Sequence, residues 1–132
     1  MADATKMKQA KTVYETFCKA LDAREWKYER HPEDMVITFT YAGEDIPMDF
    51  VVFIDEDRQL VRMLSRLPFT FPEDHRVDGA VATSYINYKL ADGSFDYNYS
   101  TGGVIFRLTA TFIDSLISEE LLFYMVACSC YT

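Results

Sequence analysis

Apolar residues recur along the chain with two different periods, and each period predicts a different kind of element. Residues 5–24 carry apolar side chains at spacings of three and four, which predicts an amphipathic helix with one buried stripe. The same spacing indicates a second helix in residues 72–90 and a third in residues 118–131. On the second helix four apolar residues share one face: Val77, Val81, Tyr85 and Tyr88.

Between the helices, apolar and polar residues alternate with the two-residue period of a β-strand. The predicted strands cover residues 26–31, 36–41, 48–54 and 59–67 before the second helix, and residues 95–100 and 104–113 after it. Short turns separate them, so neighbouring strands should pair antiparallel. We therefore predict an α+β fold in the order α-βββ(β)-α-ββ-α, with an antiparallel β-sheet (a meander plus a hairpin) and the helices on one face.

Three positions mark the ends of the predicted helices. Pro72 suits the first position of the second helix, where a missing N–H costs nothing. Gly93 should end that helix in a left-handed conformation, and Ser118 is a candidate N-cap for the third.

Gly102 and Gly103 raise the question whether the chain has a phosphate-binding loop. Such a loop leads from a strand into a helix N-terminus and places a lysine beside the phosphate. Here the glycines lead into the alternating residues 104–113, and no Gly-Lys-Ser sequence follows. We therefore interpret the pair as a tight hairpin, in which both glycines can adopt positive φ angles.

Length and charge limit the classes of partner. The 132 residues are expected to form one domain, residues 1–132. The 21 acidic and 13 basic residues give a net charge of −8, which disfavours nucleic acid and anionic membranes and suits either solubility or a basic partner protein. No apolar run could span a membrane, and the first residues lack a signal-peptide pattern, so we expect a cytoplasmic protein.

Candidate chemistry is sparse. The odd set Cys18, Cys128 and Cys130 predicts free, partly buried thiols, and neither His31 nor His75 has a neighbour at metal-ligand spacing. The sequence also lacks a calcium-binding loop and a Gly-x-Ser-x-Gly elbow, although paired carboxylates cannot be judged from spacing. We assign no catalytic, cofactor-binding or metal-binding residue, and we expect no cofactor and no enzymatic activity.

Apolar residues on both faces of several strands, and all round the last helix, indicate a contact with another protein. Helices can cover only one face of the sheet, so the second face needs another partner. The last helix is apolar in every direction, which predicts that one side of it seats a partner segment or forms a homodimer. The predicted interface consists of Leu121, Leu122, Phe123, Met125 and Val126.

The stretch "LVRMLSRLPFTFPEDHRVDGAVATSYINYKLADGSFDYNYSTGGVIFRLT", which begins at Leu60, resembles the YbjN family of bacterial proteins. The first helix and "IPMDFVVFIDED" fit the same family, so the resemblance covers most of the chain. It rests on an ordered set of motifs: Leu67-Pro68, Pro72-Glu73, Asn87, Gly93-Ser94-Phe95 and the glycine turn before "VIFRL".

This resemblance implies a fold like that of the type III secretion chaperones. Proteins of the YbjN family are described as sensory-transduction-regulator-like. The chaperones are small, acidic, cytoplasmic and typically dimeric, and they bind segments of other proteins without chemistry. The resemblance brings no catalytic or cofactor residues.

Two hypotheses of function follow. The first is a non-enzymatic protein-interaction or chaperone-like regulatory domain of a bacterial cytoplasmic protein, bound to a protein segment or to a second copy. The alternative is a small-ligand-binding domain, or a minor enzyme, with its site between the sheet and the helices. A deep pocket with convergent polar groups would favour the alternative, and an exposed apolar surface would favour the first.

Overall fold

The computed structural model describes residues 4–41, 47–113 and 116–131. Within these ranges three helices and six strands follow one another in the predicted order, with four strands before the second helix. The elements are α1 (Ala4–Ala23), β1 (Glu29–His31), β2 (Val36–Tyr41), β3 (Met48–Asp55), β4 (Leu60–Thr70), α2 (Arg76–Lys89), β5 (Ser94–Asn98), β6 (Gly103–Thr111) and α3 (Glu119–Tyr131). A 3-10 turn, Glu73–His75, leads into α2.

The strands form one antiparallel sheet in the order β1-β2-β3-β4-β6-β5. The first four strands are the predicted meander, and β5 and β6 are the predicted hairpin, which joins the meander through β6 beside β4. α1 and α3 pack over the centre of the sheet, and α2 packs over β5 on the same side. The predicted α+β class, with helices on one face of an antiparallel sheet, is confirmed.

Strand boundaries differ from the prediction where the backbone turns. β1 begins at Glu29 rather than at residue 26, because Glu25 adopts a positive φ of 58° in the turn that follows α1. Gln59 also has a positive φ, 51°, so it belongs to the turn before β4. β4 then continues to Thr70 through a register shift: residues 67–69 leave the ladder with β6, and Thr70 rejoins it opposite Gly103.

The buried stripe of α1 forms one half of the core. The pattern predicts seven residues in this stripe, and Met7 is 49% exposed near the beginning of the helix. The other six are buried: Ala10, Val13, Tyr14, Phe17, Cys18 and Leu21. Phe17 contacts Phe39 on the sheet, and the rings of Phe39 and Phe50 stack with their centroids 4.8 Å apart. Each large apolar side chain buried in this way contributes about 1.5–3 kcal/mol to folding.

α2 is shorter than predicted at both ends. Pro72 precedes the 3-10 turn and does not occupy the first α-helical position. The helix ends at Lys89 because Leu90 is already extended and packs against the core. Gly93 does have a positive φ, 76°, but it lies in the loop before β5 and does not cap the helix.

Close packing fixes α2 against β5. Gly79 faces the sheet, and a Cβ atom there would overlap the hydroxyl of Tyr97 and lie 2.7 Å from the ring of Phe71. The Tyr97 hydroxyl donates a hydrogen bond of 2.7 Å to the carbonyl oxygen of Arg76. These contacts set which side of α2 faces the sheet, so the helix cannot rotate about its axis without losing them.

The β5–β6 turn depends on one of its two glycines. Gly102 has a φ of 75°, and its N–H donates to the carbonyl oxygen of Asn98 over 2.7 Å. Its own carbonyl accepts a hydrogen bond of 2.9 Å from the N–H of Phe71. Gly103 has an ordinary φ and begins β6, so the prediction that both glycines adopt positive φ angles is wrong for Gly103. Four residues, 99–102, connect β5 to β6, so the turn is longer than a two-residue hairpin turn.

Replacing Gly102 by alanine is expected to lower the free energy of unfolding by about 1–3 kcal/mol, the range for strained backbone positions. An alanine at residue 102 would be strained at the positive φ, and its Cβ atom would also overlap the carbonyl oxygen of Phe71. Gly103→Ala is the matched control, because its Cβ would meet only the Thr101 hydroxyl at 3.2 Å. Urea denaturation of both variants checks this, and equal losses would contradict it.

Candidate protein-binding surface

The face of the sheet opposite the helices carries apolar side chains at alternate positions. Val51 and Phe53 on β3, Leu64 on β4 and Ile105 on β6 point to this side, because their strand neighbours point into the core. Val51 is 40% exposed and the other three are half-buried. Within the described ranges no helix covers this surface, which we call the open face and define by Val51, Phe53, Leu64 and Ile105.

Two depressions adjoin each other on this side of the molecule. The first has a volume of about 780 Å³ and extends from Tyr28 beside β1 across Val51 and Leu64 to Ile105. The second, of about 710 Å³, lies beside the register shift between β4 and β6, and Phe69 is part of its wall. Both depressions are lined by Arg66 and Ile105, so together they cross most of the sheet. Their combined extent suits an extended segment better than a small molecule.

Aromatic rings form the end of the second depression. Phe69 packs edge-on against Phe71, with ring centroids 6.1 Å apart, and Phe71 packs in the same manner against Tyr97. Tyr97 in turn contacts Tyr99, with centroids 6.4 Å apart. Phe69 and Tyr99, at the two ends of this row, are both more than half exposed. Exposed aromatic side chains of this kind are common anchors in protein interfaces.

Charged groups of both signs lie among the apolar side chains of the open face. Arg107 Nε donates a hydrogen bond of 2.8 Å to Asp96, and the Thr40 hydroxyl donates one of 2.7 Å to Asp49. Arg62 lies over the ring of Phe53, with its guanidinium carbon 5.8 Å from the ring centroid. The open face is therefore nearly balanced in charge, unlike the chain as a whole with its net charge of −8.

The space between sheet and helices is packed with apolar side chains. Among the described residues, Ser65 Oγ is the one buried side-chain oxygen or nitrogen without a hydrogen-bond partner. Its cross-strand neighbours are Phe50 and Phe106, both buried. A small-ligand site needs several polar groups that converge on a cavity. One isolated hydroxyl between two aromatic rings does not supply them.

The apolar face of α2 points to solvent. The four residues that the spacing places together are all exposed: Val77, Val81, Tyr85 and Tyr88, the last by 90%. We call this set the α2 seam. The opposite side of the helix carries Gly79 and Thr83, which are buried against the sheet. The sequence spacing predicts that these four residues share a face, but it does not predict that the face is exposed. The small residues Gly79 and Thr83, four positions apart, could have indicated which side of the helix faces the sheet.

The structure separates the predicted interface residues of α3 into two groups. Ser118 caps the helix as predicted, since its side-chain oxygen accepts a hydrogen bond of 3.2 Å from the N–H of Leu121. Leu122, Met125 and Val126 are almost fully buried in the core of the same chain, so these three are not available to a partner in this arrangement. An interface through α3 therefore has to involve its other residues, and it stays a prediction.

Leu121 and Phe123 are only partly buried, and a contact through them stays a prediction. Phe123 packs edge-on against Trp26 with ring centroids 5.8 Å apart, and the guanidinium of Arg24 lies 3.8 Å above its ring. Half-exposed Tyr124 donates a hydrogen bond of 3.2 Å to Asp92, and this bond raises the pKa of the phenol. Phe123 and Tyr124, on the outer side of α3, are therefore already in contact with side chains of this chain.

The cysteines are free of disulfides, as predicted. Cys18 is buried and Cys128 and Cys130 are half-buried. Burial raises the pKa of the Cys18 and Cys130 thiols, which disfavours the reactive thiolate. In the described part of the chain no three His, Cys, Asp or Glu side chains come close enough together to hold a metal ion. None of the helices described is both long and apolar enough to cross a membrane.

Comparison with known proteins finds similarity in structure but not in sequence. No protein-family profile matches the chain, and the search of curated proteins found no significant match. The fold is nevertheless that of two solved structures, one of YbjN and one of a chaperone–effector complex.

The crystal structure of YbjN from E. coli, described as a candidate transcription regulator, superposes with a TM-score of 0.62 at 10% identity and covers 88% of this chain and 82% of its own. A chain of the HopA1–SchA chaperone–effector complex superposes with a TM-score of 0.56 at 13% identity, covering 96% of this chain and 91% of its own. The fold expected from the resemblance is thus confirmed. At these identities the likeness concerns the fold alone.

Proposed function

We propose that this protein is a non-enzymatic, chaperone-like interaction domain that binds a segment of another protein on its open face. The observation that carries the proposal is the open face itself, where half-exposed Val51, Leu64 and Ile105 line adjoining depressions across the sheet. A contiguous apolar surface of this kind is typical of a site for another protein. The fold shared with a chain of a chaperone–effector complex supports the same function.

A second copy of the chain is the partner that we propose for the α2 seam. The seam is nearly symmetric about residue 83: Val81 and Tyr85 flank that position, and Val77 and Tyr88 lie toward the ends. Two antiparallel copies related by a twofold axis there would bring Val81 of one against Tyr85 of the other. The same pairing places Asp78 near Lys89 of the second helix, which joins opposite charges at each end.

Charge and the cysteines support the rest of the proposal. A net charge of −8 disfavours nucleic acid and anionic membranes as partners. Thiols that form no disulfide are typical of a reducing compartment, which supports a proposed cytoplasmic location. A small-ligand site between sheet and helices is the weaker candidate, because Ser65 Oγ is the one buried side-chain oxygen or nitrogen without a hydrogen-bond partner among the described residues.

Photo-crosslinking tests the open face directly. A photoreactive side chain at Val51 is expected to capture one partner segment, and the same group at Thr12, on the exposed side of α1, should not capture it. A peptide of the captured segment should bind the unmodified protein. Val51→Asp should weaken that binding about tenfold or more, because the contact would bury an unpaired carboxylate. Thr12→Asp is the control with the same added charge. Equal affinity of both variants would contradict the proposal.

A further inference from the structure

Asn87, near the end of α2, makes a pair of hydrogen bonds to the backbone of the edge strand β5. Its Oδ1 accepts a bond of 2.7 Å from the N–H of Phe95, and its Nδ2 donates one of 2.9 Å to the carbonyl oxygen of the same residue. One side-chain amide thus takes up both hydrogen-bonding groups of one strand residue. The Asn87 side chain is half-buried, and Phe95 follows it by eight residues in the sequence.

These two groups of Phe95 lie on the free edge of the sheet. β5 is the last strand in the sheet order, and it pairs on its other side with β6. In an antiparallel pair, residues alternate between those that bond to the neighbouring strand and those whose N–H and C=O point away from it. Because Phe95 bonds to Asn87 with both groups, it belongs to the outward-pointing set, as does Tyr97 two residues later.

An unpaired edge is a template on which another strand can add. β5 has five residues, so its outward-pointing set is short, and Asn87 occupies it at Phe95. A strand from another molecule would find the groups of Phe95 already bonded and could pair at Tyr97 alone. The amide imitates the backbone of a neighbouring strand, with one donor and one acceptor, and ends the ladder there.

We propose that Asn87 closes the β5 edge and prevents strand-to-strand association of this protein at that edge. The closure concerns the β5 edge alone; the other edge of the sheet is the three-residue strand β1. It does not rest on the proposed function, because the edge would be closed whichever protein, if any, the open face binds. The occupant that Asn87 excludes is a β-strand of a second copy.

Hydrogen exchange of single amides tests the closure without any variant. In the unmodified protein the Phe95 amide is expected to exchange at least about tenfold more slowly than the Tyr97 amide, since it alone is hydrogen-bonded at the outer edge. Exchange of both amides at the same rate would overturn the proposal.

Variants of Asn87 test the consequence. They are made together with Val81→Glu, so that association through the α2 seam does not mask association through β5. Asn87→Ala should lower the protein concentration at which intermolecular β-sheet forms by about tenfold, as followed by sedimentation and infrared spectroscopy. Asn87→Asp keeps the acceptor for the Phe95 N–H, and it should keep the slow exchange of that amide while leaving the Phe95 carbonyl unpaired.

Thr83→Ala is the matched control. Thr83 is buried on the same helix, and its hydroxyl bonds to the Gly79 carbonyl oxygen over 2.9 Å, so its loss weakens α2 without touching Phe95. The control should not promote strand pairing. If Asn87→Ala and Thr83→Ala are equally destabilised and associate equally little, Asn87 merely fastens α2 to β5 and the proposal is wrong. If Asn87→Ala does not fold, the exchange rate of the Phe95 amide in Asn87→Asp is the deciding measurement. It should stay slow, and fast exchange would contradict the proposal.

Discussion

Leu122→Ala is expected to lower the free energy of unfolding by about 2–5 kcal/mol, the range for deletion of a buried leucine side chain. Leu122 is 1% exposed and belongs to the same core cluster as Met125 and Phe106. The variant leaves a cavity under α3, because the surrounding side chains are held by the sheet on one side and by α1 on the other. Urea denaturation followed by circular dichroism measures the loss.

Tyr124→Ala is the control on the same helix. Tyr124 is 51% exposed and its hydroxyl bonds to Asp92 at the surface, so its removal should cost about 0.5 kcal/mol or less. The pair of variants separates a core helix from an interface helix. If Leu122→Ala kept its stability but dissociated an oligomer, α3 would be an interface, as its apolar sequence indicates, and the arrangement described for α3 would be wrong.

The order of elements and the sheet could be predicted because both follow from local pattern. Alternation identifies each strand, and the short turns between β1 and β4 leave antiparallel pairing as the simple solution. The starts of β1 and β4 were less predictable, because Glu25 and Gln59 adopt positive φ angles that are unusual for their residue types. Such conformations are set by the contacts on either side of the turn and not by the residue itself.

The inward side of α3 could not be predicted from its own residues. A helix that is apolar all round has no intrinsic buried side, so its orientation depends on what lies next to it. Here Trp26 and Arg24 cover Phe123 from a turn about a hundred residues earlier in the chain. The sequence pattern therefore indicated that α3 needed cover on several sides but assigned that cover to another molecule.

The exposure of the α2 seam could not be predicted either, because an apolar stripe on a helix usually faces the core. The stripe is exposed because the sheet accepts the smaller side of the helix, at Gly79 and Thr83. Close approach of α2 to Tyr97 requires the absence of a Cβ atom at residue 79. Steric fit thus decides the orientation of α2, at the cost of leaving large apolar side chains in water.

The exposed α2 seam offers an apolar contact between two copies of the chain. The protein is expected to form a homodimer through the α2 seam, and Val81→Glu should raise its dissociation constant by about two orders of magnitude, because an unpaired carboxylate would be buried in an apolar contact. Val81 lies next to the proposed twofold axis, so one substitution places two carboxylates close together. Repulsion between them adds to the cost of burial.

Sedimentation equilibrium over a range of concentrations measures the dissociation constant, and urea denaturation shows that Val81→Glu still folds. Folding should be unaffected, since Val81 is 63% exposed in the single chain. Thr12→Glu adds the same charge to the exposed side of α1 and should leave the dimer intact. A monomeric unmodified protein at high concentration, or a dimer that Val81→Glu leaves unchanged, would show that the seam is not the contact between copies. The exposed Tyr88 would then have to be explained by a different partner, because soluble proteins rarely leave a row of four large apolar residues uncovered.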